Sequence, residues 1–163
     1  MNKKPSIIVF FWLLSLTLIP LLSIYGRPIQ SFLKNNLTPE QLIFIIGFIL
    51  FIICVKATYW LIRKHSYQRI WHLAWFIPLF LIAPYFMTII EERVHFIVFG
   101  SFGFLSMLVF TPKVAITLCI SISLLDEGLQ WYLPDRVGDI HDVGINIVAS
   151  LAGATFAYIS WKR

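Results

Sequence analysis

The sequence predicts an all-α fold, a polytopic membrane bundle of about six transmembrane helices with both termini cytoplasmic. Three observations predict it. The 163 residues are 59% hydrophobic, 17% aromatic and 13% charged, too little polar surface for a soluble domain of this length. The apolar residues fall in runs close to the roughly 20 needed to cross a hydrocarbon core as a helix. Basic residues gather in short caps between those runs, in a pattern that sorts to one side. Only helices suit such runs, because backbone groups facing lipid must be satisfied within their own segment. A single integral membrane domain over 1–163 follows.

The first expected span is residues 7–25. It follows MNKKPS as the core of a signal peptide would. The run is long for that role and no small-residue cleavage site succeeds it, so it is expected to be retained. Arg27-Pro28, Asn35-Asn36 and Pro39 mark residues 26–40 as an irregular loop. The second span, 41–62, holds Lys56 within about two turns of its cytoplasmic end, where a long stem can snorkel to the interface. The third, 70–90, contains Pro78 and Pro84, each able to kink it. The fourth and fifth cover 94–110 and 114–133, with Pro134 ending the fifth, and the sixth covers 143–161. Residues 1–90 thus hold three spans and 91–163 the other three. Trp60, Trp71, Trp75, Trp131 and Trp161 lie near span ends, as an aromatic belt requires.

Orientation comes from the basic residues. With the N-terminus inside, eight of them (Lys3, Lys4, Arg63, Lys64, Arg69, Lys113, Lys162, Arg163) lie on the cytoplasmic side and four (Arg27, Lys34, Arg93, Arg136) outside. The net charge of +5 is therefore a topology signal, and no nucleic-acid partner is expected. The expected partner is a lipid bilayer. Cys54 and Cys119 fall in apolar runs without a metal-ligand spacing and read as small apolar residues.

Five of the eight acidic residues crowd between Asp126 and Asp142, in a chain where charge is costly. Asp126 and Gln130 are four apart and Glu127 and Gln130 three apart, so they share a helix face. Asp139, Asp142 and Asn146 follow at spacings of three and four, on one face of the sixth helix. For Asp139 and Asp142, helix capping and a functional role are both open. Asn146 lies deeper, where an unsatisfied amide is unfavourable, and is expected to bond to another helix. The fourth span opens with Glu91-Glu92-Arg93-Val94-His95, which puts either carboxylate within reach of the imidazole at the same outer depth. Gly100, Gly103 and Ser106, facing Ala149, Ser150 and Gly153, allow the fourth and sixth helices to pack closely and bring the clusters together.

No HExxH, GxSxG or P-loop motif is present. His95, His141, Glu127 and Asp142 are metal-capable residue types without a diagnostic spacing, so no metal is assigned, and whether a cofactor is used stays open. An acidic residue and a histidine opening one span, Glu-x-x-Gln ending a later one, then Arg, Asp, Asp and Asn at fixed intervals form a specific pattern. Here these are Glu92 (or Glu91), His95, Glu127, Gln130, Arg136, Asp139, Asp142 and Asn146, followed by a helix with Ala149, Ala152 and Gly153. In these residues the second half of the chain resembles the VanZ-like family of small bacterial membrane proteins. The resemblance implies an envelope protein of the kind named for raising resistance to the glycopeptide teicoplanin. The eight pattern residues are the expected ligand-binding set, for a lipid-linked or anionic ligand. Two other functions stay open. One is a membrane-embedded hydrolase or transferase with Glu127 or His95 as general acid–base group. The other is a structural partner subunit whose polar residues bond helices together. A transporter is disfavoured, since no inverted repeat is visible.

Overall fold

The computed structural model describes residues 6–64, 67–86, 90–134, 136 and 138–161, excepting the side chains of 60, 64, 67–69, 85, 86, 90–92 and 161. Among them are helices α1 (Ser6–Asn36), α2 (Pro39–Lys64), α3 (Leu73–Ile77), α4 (Ala83–Phe86), α5 (Ile90–Val109), α6 (Pro112–Tyr132) and α7 (Ile140–Trp161), and no β-strand. A 3₁₀ turn, Tyr67–His72, precedes α3, and a π-helical turn, Pro78–Ile82, joins α3 to α4. Among the described residues four helices are long and apolar enough to cross a membrane: α1, α2, α6 and α7. The third and fourth expected spans hold shorter apolar stretches, Ile70–Ile82 and Arg93–Val109. The protein is a multi-pass, all-α membrane bundle.

Two local expectations are corrected. Residues 26–40 do not form an irregular loop. Helix α1 runs through Pro20 and Pro28 to Asn36, and α2 begins at Pro39. Ile29, Phe32 and Leu33 keep helical spacing across the supposed turn signals, and that period prevails. The Asn36 amide donates to the Phe32 carbonyl at 2.7 Å and Leu37 N to Leu33 O at 2.8 Å, closing the helix. The turn into α2 is a capping box: Thr38 N donates to Gln41 Oε1 (2.9 Å) and Gln41 N to Thr38 Oγ1 (3.3 Å), with Pro39 at the first helical position. The third expected span is likewise not one α-helix. Pro78 lacks an N–H and its ring crowds the preceding turn, and the chain there widens into the π-helical segment.

The centre of the fold is the α5–α7 pair, the most extensively contacting helices. A Cβ on Gly103 would fall 1.8 Å from the Ser150 carbonyl oxygen, and one on Gly153 would fall 2.0 Å from that of Gly100. The backbones touch because these residues lack side chains, as the spacing of small residues predicts. Around this pair Phe76, Phe80, Phe96, Phe99, Phe102 and Phe156 form the main apolar core. Phe76 stacks on both Phe80 (centroids 4.6 Å) and Phe156 (4.3 Å). Trp12 ties α1 to α5 by donating from Nε1 to Ser106 Oγ at 2.9 Å. Cys54 and Cys119 are buried free thiols. Much of α1 and α2 presents exposed large apolar side chains, Phe10, Phe44 and Phe48 among them, suited to lipid. Of the belt residues, Trp131 and Trp71 are 80% and 65% exposed, while the side chains of Trp60 and Trp161 lie outside the described residues.

Candidate functional site

The polar residues of α6 sit on its inward face. Asp126, Glu127 and Gln130 are all buried, and Asn146 of α7 is fully so. The 126, 127, 130 spacing turns all three toward α7 and α1, as one helical face requires. The Gln130 amide donates from Nε2 to both Asp126 Oδ2 (3.0 Å) and Glu127 Oε1 (3.2 Å). Asn146 Nδ2 lies 3.5 Å from the same two oxygens, at the outer limit of a hydrogen bond. Two amides thus bridge two adjacent carboxylates. Arg136 closes the set by donating from Nη2 to Gln130 Oε1 at 2.6 Å. Asn146 Oδ1 is buried with no hydrogen-bond partner among the described residues.

The segment between α6 and α7 folds back onto α6 as a short turn. Arg136 N donates to Leu133 O at 3.1 Å, and Asp139 N to Glu127 Oε2 at 3.2 Å. Asp139 is also the N-cap of α7, its Oδ1 accepting from His141 N at 2.9 Å. The capping explanation therefore holds for Asp139, whose backbone also holds Glu127. Gly138 allows this approach, since a Cβ there would come 2.8 Å from the Glu127 carbonyl oxygen and 3.2 Å from Trp131 Cβ. Gly138→Ala should lift the turn and withdraw Asp139 N from Glu127, lowering stability by about 1–3 kcal/mol, the usual range for overpacking. A thermal melt in detergent, set beside wild type, checks this; an unchanged midpoint contradicts it.

The structure brings His95, Asp126, Gln130 and Arg136 to one cleft of about 260 Å³ between α1, α2, α5 and α6. The opening of the fourth span and the α6 cluster thus meet, as their common depth predicts. His95 is half-buried beside Phe99, and Arg93 is buried. Asp142 is half-buried in the first turn of α7, and His141 is exposed. The side chains of Glu91 and Glu92, and all of Asp135, lie outside the described residues. No three His, Cys, Asp or Glu side chains among the described residues gather as metal ligands.

Sequence reasoning understated Asp126 and missed α1. The Ser23 hydroxyl donates to Asp126 Oδ1 and also lies 3.1 Å from Ile19 O. Asp126 therefore joins α1, α6 and α7, and it lines the cleft, whereas Glu127 is not among the described lining residues. The opposite wall includes Gly26, where a Cβ would stand 3.2 Å from Arg136 Nη1. A serine in an apolar helix ordinarily bonds to its own backbone, so its spacing carries no sign of a remote carboxylate. Gln30 and Lys34 reach the cleft only because α1 continues past Pro28.

Residues 6–161 match the VanZ/LLP1 family. The chain belongs to that family. The match starts at residue 6, so α1 and α2 fall within it together with the half that carries the polar pattern. No curated protein and no solved structure gives a match. In this VanZ/LLP1 chain six of the pattern residues, Glu127, Gln130, Arg136, Asp139, Asp142 and Asn146, lie in α6, the connecting turn and the start of α7. His95 of α5 meets Gln130 and Arg136 of this set at the cleft.

Proposed function

We propose that this VanZ/LLP1 protein works in the bacterial cytoplasmic membrane, where its cleft binds a lipid-linked or anionic ligand and so affects susceptibility to teicoplanin. One observation carries the proposal: the cleft is amphiphilic. Ile29 and Leu33 of α1, Ile45 and Ile46 of α2 and Val98 and Phe99 of α5 form apolar walls, while Lys34, Arg136, Gln30 and His95 supply cations and donors. Such a space suits an apolar tail beside an anionic head, since Arg and Lys recognise phosphate and carboxylate groups. Asp126 does not oppose this, because Ser23, Gln130 and Asn146 already donate to its carboxylate. An extracytoplasmic cleft, favoured by the count of basic residues, supports this reading.

The test joins lipid chemistry to phenotype. Mass spectrometry of lipids co-purifying with wild type should show an enriched anionic or lipid-linked species that Arg136→Ala loses. Expression in a teicoplanin-sensitive bacterium should raise the inhibitory concentration, and Glu127→Ala, Arg136→Ala and Asn146→Ala should each restore sensitivity at normal protein levels. Identical lipid profiles and full resistance in all three variants would overturn the proposal.

The bridged pair Asp126–Glu127 favours a second function, a membrane-embedded hydrolase or transferase acting on an envelope lipid or precursor. Adjacent carboxylates held by shared donors are suited to proton transfer. Of the groups lining the cleft, His95 and Asp126 are placed for it, and Glu127 supports Asp126 through Gln130 and Asn146. This function requires altered envelope lipid or precursor pools when the protein is expressed. Unchanged pools by mass spectrometry exclude it.

A further inference from the structure

A second cavity, of about 410 Å³, opens beside α2 against the π-helical turn, α5 and α7, and among the described residues shares no lining residue with the cleft. Its volume falls within the range of small-ligand sites. Phe76, Phe80, Phe96, Phe104 and Phe156 make its walls aromatic, and among the described residues Lys56 is the one charged residue that lines it. We propose that this cavity binds an anionic phospholipid, with an acyl chain lying among the phenylalanines and the phosphodiester paired with Lys56.

Shape and charge both lead there. The π-helical turn Pro78–Ile82 carries Phe80 over Gly100, where a Cβ would come 2.7 Å from the ring. Gly100 and Gly153, small because α5 and α7 touch, thereby leave space for a chain on the cavity side of the pair. Lys56 is exposed on α2, eight residues before Lys64, which is about 12 Å of helical rise from its end. An ammonium at that depth is costly unless an anion or water meets it. Among the described residues no acidic side chain lines the cavity to pair with Lys56 or with the choline of a zwitterionic lipid, so an anion from outside the chain suits it. The anion a bilayer supplies beside an apolar chain is a lipid phosphate. A lipid of net negative charge fits a lysine that no described acid opposes at the cavity.

The full chain in phosphatidylcholine nanodiscs, titrated with phosphatidylglycerol bearing a photoreactive acyl chain, tests the assignment. Cross-links mapped by mass spectrometry should concentrate on the peptides containing Phe76, Phe80 and Phe104. Unlabelled phosphatidylglycerol should compete them away and phosphatidylcholine should not. Lys56→Gln should weaken labelling at least tenfold and Lys56→Arg should retain it. Ala57→Phe, which fills the cavity from its wall, should abolish labelling at an unchanged melting temperature. Arg136→Ala, in the other cleft, should label as wild type does, so the two sites fail separately. Labelling spread evenly over α1 and α2, equal competition by phosphatidylcholine, displacement by palmitate but not phosphatidylglycerol, or wild-type labelling of Lys56→Gln would each overturn it.

Discussion

Gly103→Leu should prevent α5 and α7 from docking and leave little folded protein. Even a Cβ there stands 1.8 Å from the Ser150 carbonyl oxygen, a backbone atom that cannot rotate away. The helices must separate, so the cost should exceed the roughly 1–3 kcal/mol typical of an overpacked core. With α5–α7 the main contact of the bundle, that is a large part of the stability a domain of this kind has. Gly47→Leu is the control, since nothing lies within 4 Å of a Cβ at that position. Size-exclusion chromatography and thermal melts in detergent should show Gly47→Leu as wild type and Gly103→Leu aggregated or absent. A folded Gly103→Leu protein with a normal midpoint would contradict the packing described.

Gln130→Leu should be the most damaging change among the polar residues. It removes the donor shared by Asp126 Oδ2 and Glu127 Oε1 and the acceptor of Arg136. Leaving a buried acceptor without its hydrogen-bond donor typically costs about 1–3 kcal/mol, and more when the group is charged. The double variant Gln130→Leu with Asp126→Leu should regain part of that loss, since one stranded carboxylate is gone. Melting temperatures of the two singles and the double form the cycle. Strict additivity would show that Gln130 and Asp126 do not act on one another. The same cycle bears on the third possibility, a structural partner subunit, which requires these changes to act on stability alone and not on lipid content or susceptibility.

Both effects were partly legible before the fold was known. Gly100, Gly103, Ala149, Ser150 and Gly153 repeat at helical spacing in two apolar runs, and close backbone packing is the physical use of such a stripe. Gln130 shares a face with Asp126 and Glu127 by spacing alone. The continuation of α1 was obscured because Arg27-Pro28 and Asn35-Asn36 are strong local turn signals, whereas the helix is held by a longer apolar period. Local punctuation and periodicity disagreed there, and periodicity prevailed.

The sequence by itself determined the solvent and the class of fold. Apolar runs of spanning length and basic caps leave helices in lipid as the one physical solution. It also determined which side chains share a helix face, since that follows from 3.6 residues per turn. Only the tertiary structure decided which faces meet. Ser23 reaches Asp126 across 103 positions, Asp126 is among the described residues lining the cleft while Glu127 is not, and Lys56 fronts a second cavity that no spacing marks. Those outcomes depend on helix crossing and depth, set by where two glycine-lined backbones touch and by where a proline widens a turn. Distances between helices are not encoded in any local period, so the chemistry of the site became visible only when the bundle closed.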